Sequence, residues 1–579
     1  MRGDDLRTLA GSIEMGGLRR EADCLLQGVN LLNIFTGEIT RTNVALGGGR
    51  IVGIGDKYRR ARETFTLRSR YLLPGFIEGH IHVESSLMTP EGFAEAVLPR
   101  GTTTVVADPH EIANVLGVGG VGYMLHASQG LPLDLYFLAP SCVPSTEWET
   151  SGASLGPAEI AKLLEDESVL GLAEVMDYPG VIRGKGELLE KILAARSRGK
   201  VVDGHAPGLS GEELIAYLNA GIGTDHECTT LEEAGEKLRL GMRIMIREGS
   251  QAKNMADLLP LVRPETARRF LLVSDDREAQ DLLREGHLDA LVRRAVSLGL
   301  SPHLTVQMVT LNPAEYFGLR DRGSVAPGRI ADLVVVENLQ DFTPLLVFKR
   351  GRLVAREGHL LHPVPRLQDP AALQTVRVGR LDSERLRIPG VGRMVRVIDL
   401  VPGQIVTRQV VLEVPPVQGE IRPDPSRDLL KLVVVERHGR NGNVGLGLVR
   451  GLGLRQGALA SSVAHDSHNL IAAGVEDRDI LAALEGVIKM GGGLALAAGG
   501  TVQASLPLPV AGLMSPEPPA SVAAAMDRLH REARELGSPL PTPFAVLSFL
   551  ALPVIPELRL TDRGLVDVGR GEIVPLALP

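Results

Sequence analysis

Between residues 75 and 322 the chain alternates short apolar runs with amphipathic stretches, and no other feature restricts its fold as strongly. Helical stretches are predicted at 90–98, 157–166, 186–197, 211–220 and 231–240. Apolar runs with the length of strands lie at 71–78, 102–108, 133–142, 169–177, 201–205, 222–226, 243–247 and 270–276. Strands that alternate with helices indicate a parallel sheet, and eight of them suggest a closed barrel. The predicted fold class is therefore α/β, with a (β/α)8 TIM-like barrel.

The segments on either side of the barrel have the pattern of short strands separated by glycine-rich turns. Residues 23–74 and 323–362 are expected to form one small β-sandwich module, with the barrel of residues 75–322 inserted between its halves. Residues 376–579 mix predicted strands with helices and are expected to form a C-terminal α+β domain. The charged lead-in of residues 1–22 is either a helix or disordered.

The first barrel strand runs into the sequence Gly79-His80-Ile81-His82. Residues two apart in a strand point to the same side, so His80 and His82 can direct both imidazoles into one space at the strand end. Imidazole is a common metal ligand. Two structural histidines on a strand would give the same pattern, so this motif alone leaves both interpretations open.

Histidines and carboxylates also occur at the ends of the later predicted strands. Chemistry in a parallel barrel takes place at the carboxyl ends of its strands, and the residues found there are Asp108, His110, Glu111, Glu174, His205, His226, Asp275 and Asp276. Nitrogen and oxygen ligands without thiolate suit Fe(II), Mn(II) or Zn(II). So many ligands indicate two metal ions that share a carboxylate. Asp275, on the far side of the ring of strands, is suited both to bind a metal and to move a proton.

Composition argues against several classes of partner. A net charge of −8 and an aromatic content of 3% disfavour phosphate backbones and stacked bases, so no nucleic-acid partner is expected. No run approaches 18 apolar residues, and the first 25 residues lack the apolar core of a secretion signal, so no membrane association is expected. The three cysteines are widely spaced and suit a reducing compartment. The expected location is cytoplasmic.

Motifs distributed along the chain resemble those of the bacterial adenine deaminases, a family of the amidohydrolase superfamily. The motifs in the barrel region are EGHIHVESS (78–86), ADPHEIANVLG (107–117), EVMDYPGV (174–181), DGHAPGL (203–209), TDHECT (224–229) and SDD (274–276). Those in the C-terminal region are VAHDSHNL (463–470) and KMGGGLAL (489–496). The resemblance covers nearly the whole chain after residue 22.

The resemblance implies a metal-dependent hydrolase with a binuclear site. The metal ligands that it implies are His80, His82, Glu174, His205 and His226, joined by Asp275 as proton shuttle and further ligand. Asp276 is the alternative shuttle. Many members of the superfamily bridge their metals with a carbamylated lysine at the position of Glu174, whose carboxylate supplies the same bridging oxygens. Two divalent transition metals are expected, with manganese or iron(II) favoured and zinc as an alternative.

The implied reaction is hydrolysis of adenine to hypoxanthine and ammonia by a metal-activated hydroxide, as in purine salvage and adenine catabolism. Glu84, Asp108 and His110 either orient the purine and relay protons, or hold loops. The C-terminal sequence His465-Asp466-Ser467-His468-Asn469 either closes over the barrel mouth and contacts the substrate or is a polar loop. The family also implies a homo-oligomer, either a dimer or a larger assembly.

Two other functions compete with this one. The first is hydrolysis of a cyclic amide or a related aminopurine by a dihydroorotase-like or hydantoinase-like enzyme; Glu174 in place of lysine and the extra C-terminal domain speak against it. The second is a non-catalytic assembly protein, which would have no need of the ligands. The sequence Gly117-Val118-Gly119-Gly120-Val121-Gly122 matches a dinucleotide-binding fingerprint. No predicted strand directly precedes it, so a loop or a helix start is expected there.

Overall fold

The computed structural model describes residues 6–367, 369–390 and 392–578. Residues 1–5 of the predicted lead-in lie outside the described residues, as do residues 391 and 579 of the predicted C-terminal domain and residue 368. The described part of the lead-in contains helix α1 (Leu6–Gly16), so the helical alternative holds for this part. Its Met15 is buried against the sheet that follows.

Five strands form the first half of a β module: β1 (Ala22–Leu32), β2 (Ile39–Gly47), β3 (Arg50–Ile54), β4 (Ala61–Thr66) and β5 (Tyr71–Pro74). β1 pairs antiparallel with β2, and β2 pairs antiparallel with β3 across Gly48 and Gly49. These glycines have φ values of 59° and 79°, as a tight two-residue hairpin turn requires. β4 and β5 run parallel to β1.

Eight parallel strands then close into a barrel: β6 (Phe76–Ile81), β7 (Thr102–Ala107), β8 (Asp134–Ala139), β9 (Val169–Val175), β10 (Val201–Gly204), β11 (Thr224–Asp225), β12 (Arg243–Arg247) and β13 (Phe270–Val273). The first five form one sheet and the last three another. The amide of Gly223 donates to the carbonyl of Val202, which joins β10 to β11. A parallel bridge between Ile81 and Asp275 joins β13 back to β6. The predicted TIM-like fold class is confirmed.

Helices connect these strands: α2 (Pro90–Val97), α3 (His110–Leu116), α4 (Val118–Ala127), α5 (Pro157–Leu163), α6 (Tyr178–Ile182), α7 (Gly186–Arg196), α8 (Gly211–Asn219), α9 (Leu231–Arg239), α10 (Met255–Leu258), α11 (Ala279–Arg284), α12 (Leu288–Ser297), α13 (Pro302–Met308) and α14 (Leu311–Tyr316). Gly117 separates α3 from α4, so a helix rather than a strand precedes the glycine-rich sequence. The expectation of a helix start there is confirmed.

The segment after the barrel returns to the first β module. It contains β14 (Leu333–Val336), β15 (Pro344–Lys349), β16 (Arg352–Arg356) and β17 (His359–Leu360). β14 pairs antiparallel with β5, so the two halves of the module share one nine-stranded sheet. Apolar side chains from both halves enclose a common core, among them Leu26, Val44, Val335 and Phe348.

The C-terminal region is a mixed α+β domain. Its strands are β18 (Met394–Leu400), β19 (Thr407–Glu413), β20 (Leu429–Val435), β21 (Val444–Arg450), β22 (Ala458–Ser461), β23 (Leu470–Gly474), β24 (Gly493–Ala498), β25 (Thr501–Pro507), β26 (Leu558–Thr561), β27 (Gly564–Asp567) and β28 (Glu572–Val574). Its helices are α15 (Asp477–Lys489), α16 (Pro519–Glu535) and α17 (Pro543–Phe549). One apolar core contains both Phe93 of the barrel and Met526 of this domain, so the barrel and the C-terminal domain pack against each other.

In the part of the chain that the structure describes, no helix combines the length and the apolar character needed to cross a membrane. The cytoplasmic location stays a prediction.

Candidate metal centre

Side chains from five strands meet at the carboxyl end of the barrel. His80 lies in β6 and His82 directly after it, Glu174 lies in β9, His205 and His226 follow β10 and β11, and Asp275 follows β13. The two-residue period of β6 places the rings of His80 and His82 on one side, with centroids 5.1 Å apart. The six side chains suggested by the resemblance are thus brought together.

Asp275 is held to the end of β6 by its backbone. Its amide donates to the carbonyl of His80 at 3.0 Å, and its φ of 54° lies in the left-handed region that residues with a side chain rarely adopt. Backbone conformations of this kind concentrate at functional sites. The Oδ1 atom of Asp275 lies 3.3 Å from Nε2 of His80 and 3.2 Å from Nε2 of His82.

Glu174 lies between His82 on one side and His205 and His226 on the other. Its Oε1 atom is 3.5 Å from Nε2 of His82, while its Oε2 atom is 2.6 Å from Nδ1 of His205 and 3.2 Å from Nε2 of His226. Each carboxylate oxygen therefore faces a different set of imidazoles. This is the placement that a carboxylate shared by two metal ions requires.

The donor set fits divalent metal ions. Nδ1 of His82 donates to the backbone carbonyl of Asp108 at 3.1 Å, so in the neutral ring the lone pair of Nε2 faces the oxygens of Asp275 and Glu174. His80 is 1% exposed, and neither of its ring nitrogens has a hydrogen-bond partner among the described residues. Buried acceptors that face one another need a proton or a metal ion between them. A backbone carbonyl that orients a histidine is also a common support of metal ligands.

Arg247, at the end of β12, lies between two carboxylates. Its Nη1 atom donates to Oδ2 of Asp275 at 2.9 Å, and both of its terminal nitrogens donate to Glu227. Burial disfavours ionisation of Asp275, but the nearby imidazoles of His80 and His82 and the charge of Arg247 hold its pKa well below the usual range. Asp275 is therefore an ionised carboxylate at neutral pH.

The predicted catalytic residues Asp108 and His110 form a pair beside the cluster. Nδ1 of His110 donates to Oδ2 of Asp108 at 2.9 Å, and the same nitrogen lies 3.6 Å from Oε1 of Glu174. Burial opposes protonation of His110, but the negative charges of Asp108 and Glu111 raise its pKa well above the usual value. His110 is thus placed next to the proposed metal ligands.

Glu84 contacts the start of helix α3. Its Oε1 atom accepts a hydrogen bond from the amide of Ile112 at 3.1 Å, which is the loop-holding contact considered above. Its Oε2 atom is buried with no partner among the described residues. Burial, together with the nearby charge of Glu111, raises the pKa of Glu84 to about 7. A carboxyl group with this pKa exchanges protons readily near neutral pH.

The C-terminal sequence at 465–469 packs over the barrel mouth. His465 donates from Nδ1 to Oε1 of Glu111 at 2.7 Å, and Nε2 of His468 contacts the other oxygen of the same carboxylate. Asp466 places Oδ1 3.9 Å from Nε2 of His110. Asn469 donates to the carbonyl of Thr150, in the loop after β8, at 2.9 Å. This loop therefore closes over the barrel; whether it contacts the substrate stays a prediction.

Comparisons with known proteins found matches both to the barrel region and to the C-terminal domain. The model of the amidohydrolase family matches residues 71–354, and the model of the adenine deaminase C-terminal domain matches residues 404–572. Adenine deaminase 2 of Carboxydothermus hydrogenoformans is 48% identical over 574 residues, which is 99% of this chain and 100% of that protein. This chain belongs to the adenine deaminase family. The adenine deaminase of Desulfatibacillum aliphaticivorans is 50% identical over 558 residues, 96% of this chain and 97% of that protein.

Among solved structures, a β-aspartyl dipeptidase from Fervidobacterium islandicum AW-1 aligns with 59% of this chain and 99% of its own. The sequence identity is 16% and the TM-score is 0.45.

As an amidohydrolase of the adenine deaminase family, the chain is a hydrolase that acts on C–N bonds. The amidohydrolase family implies the use of divalent metal, and the buried cluster around Glu174 supplies a matching donor set. The sequence analysis assigned no role to three further residues that contact this site, namely Glu111, Glu227 and Arg247. Arg247 ends the predicted strand 243–247, and a charged residue at the carboxyl end of a barrel strand is a signal for function.

A pocket that is partly open to solvent lies where the barrel mouth meets the C-terminal domain. Asp276 and Ser85 line it from the barrel side, and Ser85 donates a hydrogen bond to Asp276. His465 and Phe549 line it from the other side, with stacked rings 4.6 Å apart. Burial and the charge of the adjacent Asp275 raise the pKa of Asp276. The cavity thus combines flat apolar surface with groups that exchange protons.

Proposed function

We propose that this chain deaminates adenine, converting adenine and water to hypoxanthine and ammonia. The observation that carries the proposal is the near full-length identity of 47–50% to proteins named adenine deaminase, which spans the barrel and the C-terminal domain alike. The buried histidine and carboxylate cluster supports it, because hydrolysis of an amidine carbon needs an activated water.

Two divalent transition metals would be held by His80, His82 and Asp275 on one side of Glu174, and by His205 and His226 on the other. The nitrogen and oxygen donors suit manganese, iron(II) and zinc alike. Manganese or iron(II) is proposed on the resemblance to the family, with zinc as the alternative. Metal ions held by these residues would lower the pKa of water and so supply a nucleophile at neutral pH.

Asp275 is the proposed proton carrier. Its Oδ2 atom is held by Arg247, while Oδ1 faces the imidazoles of His80 and His82. In this role the carboxylate of Asp275 would take a proton from the attacking water and give it to the departing amine. Asp276 is the alternative carrier, since it lines the cavity and its pKa is raised.

The cavity between the domains is the proposed purine site. The aromatic ring of Phe549 and the adjacent ring of His465 offer a flat surface to a planar base. Asp108 and Glu84 are proposed to relay protons behind the cluster, and His110 to orient the groups around it. Asp466, His468 and Asn469 are proposed to hold the lid that the C-terminal loop forms over the base.

A substrate panel tests the function. Protein reconstituted with Mn²⁺, Fe²⁺ or Zn²⁺ is assayed for ammonia release from adenine and other aminopurines, and for ring opening of dihydropyrimidines and hydantoins. We expect adenine to give the highest kcat/KM, and protein stripped by a chelator to be inactive. Faster ring opening of a cyclic amide would contradict the proposal. Light scattering on the same sample tests the proposed homo-oligomer.

A further inference from the structure

Four carboxylates surround the ring of His110, beside the cluster described above. The distances from its ring nitrogens are 2.9 Å to Asp108, 3.6 Å to Glu174, 3.6 Å to Glu111 and 3.9 Å to Asp466. His110 is 5% exposed, and each of the four acids is at most 3% exposed. So much buried negative charge needs compensation by a cation or by protons.

The hydrogen bonds of His110 leave one ring nitrogen available. Nδ1 donates to Asp108 at 2.9 Å, so in the neutral ring Nε2 carries a lone pair. That nitrogen has Oε1 of Glu111 and Oδ1 of Asp466 as its nearest carboxylate oxygens, both beyond hydrogen-bonding distance. A histidine that donates its other nitrogen to a carboxylate is the usual form of a metal ligand.

The second observation concerns the carboxylate of Asp466. It is 3% exposed, and its Oδ2 atom has no hydrogen-bond partner among the described residues. The neighbouring Glu111, in contrast, is fixed by His465 and His468. The Oε1 atom of Glu111 accepts one hydrogen bond, from His465, and retains a second lone pair.

His468 serves as a support in this arrangement. The amide of Ala464 donates to Nδ1 of His468 at 3.2 Å, so the proton of the neutral ring must lie on Nε2, which faces Glu111. A metal ion on Nε2 would move that proton to Nδ1, against the amide of Ala464. The group formed by Glu111, His465 and His468 is therefore a hydrogen-bonded bracket that orients Glu111.

We propose that Nε2 of His110, Oε1 of Glu111 and an oxygen of Asp466 bind a third divalent cation, separate from the pair around Glu174. An ion about 2.1–2.4 Å from nitrogen and oxygen ligands separates those ligands by roughly 3–4 Å, and the distances from His110 lie in that range. The donor set suits Mn²⁺, Fe²⁺ or Zn²⁺. The third ion joins the barrel to the C-terminal domain, because Asp466 belongs to the latter.

Metal stoichiometry tests this site. Full-length protein is saturated with Mn²⁺, freed of excess metal by gel filtration, and analysed for manganese per chain by mass spectrometry. We expect three equivalents for the wild type and two for Asp466→Asn. Glu149→Gln is the matched control, because Glu149 is a buried carboxyl group that accepts a hydrogen bond from Ser145 and is not among the proposed ligands. The control is expected to keep three equivalents.

Anomalous diffraction at the manganese edge locates the ions in wild-type crystals, so the test does not depend on the folding of any variant. A third peak between His110, Glu111 and Asp466 is expected. Two equivalents with no peak there, as when protonated His110 supplies the positive charge, would overturn the proposal. Three equivalents retained in folded Asp466→Asn would also overturn it. Failure to deaminate adenine would leave the metal count unaffected, so the two proposals are tested separately.

Discussion

Two clusters of histidines and carboxylates lie side by side in this molecule, and they are built in different ways. The inner cluster around Glu174 takes its side chains from the ends of barrel strands, and its backbone is fixed by the parallel hydrogen bonds of the sheet. The outer cluster around Glu111 joins the first turn of a barrel helix to a loop of the C-terminal domain. The inner geometry therefore depends on strand register, whereas the outer geometry depends on contact between two domains.

The largest effect of a substitution is expected in the inner cluster. Asp275→Asn is expected to lower kcat by roughly 10²–10⁴-fold, because it removes a proposed proton carrier and a metal ligand. Steady-state kinetics and metal analysis on the reconstituted variant measure both effects. Asp276→Asn is the matched control and is expected to retain its metal. If only Asp276→Asn lost activity, the carrier would be Asp276.

In the outer cluster, Glu111→Ala leaves His465 and His468 without their shared acceptor. Loss of one partner of a buried charged group costs about 3–5 kcal/mol, so the free energy of unfolding should fall by about that amount. Urea denaturation measures it. Glu111→Gln keeps one acceptor oxygen and should lose less. Equal stability of Glu111→Ala and the wild type would show that the bracket does not hold the domains together.

The outer cluster should also depend on pH. Burial disfavours the charged form of His465, but Glu111 raises its pKa from 6.5 to about 9. A raised pKa contributes stability that is fully present below the unfolded pKa and is lost as pH rises through the folded value. The stability difference between wild type and His465→Gln should therefore shrink by up to about 3 kcal/mol between pH 6.5 and pH 9.5. A difference independent of pH would contradict the ion pair.

The smallest effect is expected at a domain contact that lies beside Asn469, at the edge of the outer cluster. Asp562 accepts hydrogen bonds from the amide and the hydroxyl of Thr150, at 2.8 Å and 2.7 Å. Asp562→Ala leaves buried donors unpaired and should cost about 1–3 kcal/mol of stability. Thermal unfolding and kcat are measured together, and kcat should change less than twofold. A large loss of kcat would mean that this contact also positions the site.

Local patterns in the sequence predicted most of the barrel and the place of its inner cluster. Strand β12 was predicted with its observed bounds, and β7, β9 and β10 within two residues, because their apolar runs are continuous. The run at 222–226 was less informative: only the two residues of β11 pair in the sheet, and the chain leaves it before His226. Helix α3 was not predicted, and α4 was expected only as one of two alternatives, a loop or a helix start, since glycine interrupts their pattern.

The sequence by itself determined that histidines and carboxylates stand at strand ends, since a two-residue period and the strand–helix alternation are local properties. Only the tertiary structure decided that Glu111 faces His465, 354 residues away, and that Asp466 comes close to His110. Such pairs form when surfaces from distant parts of the chain pack together, and no periodicity within either segment predicts which side chains will meet.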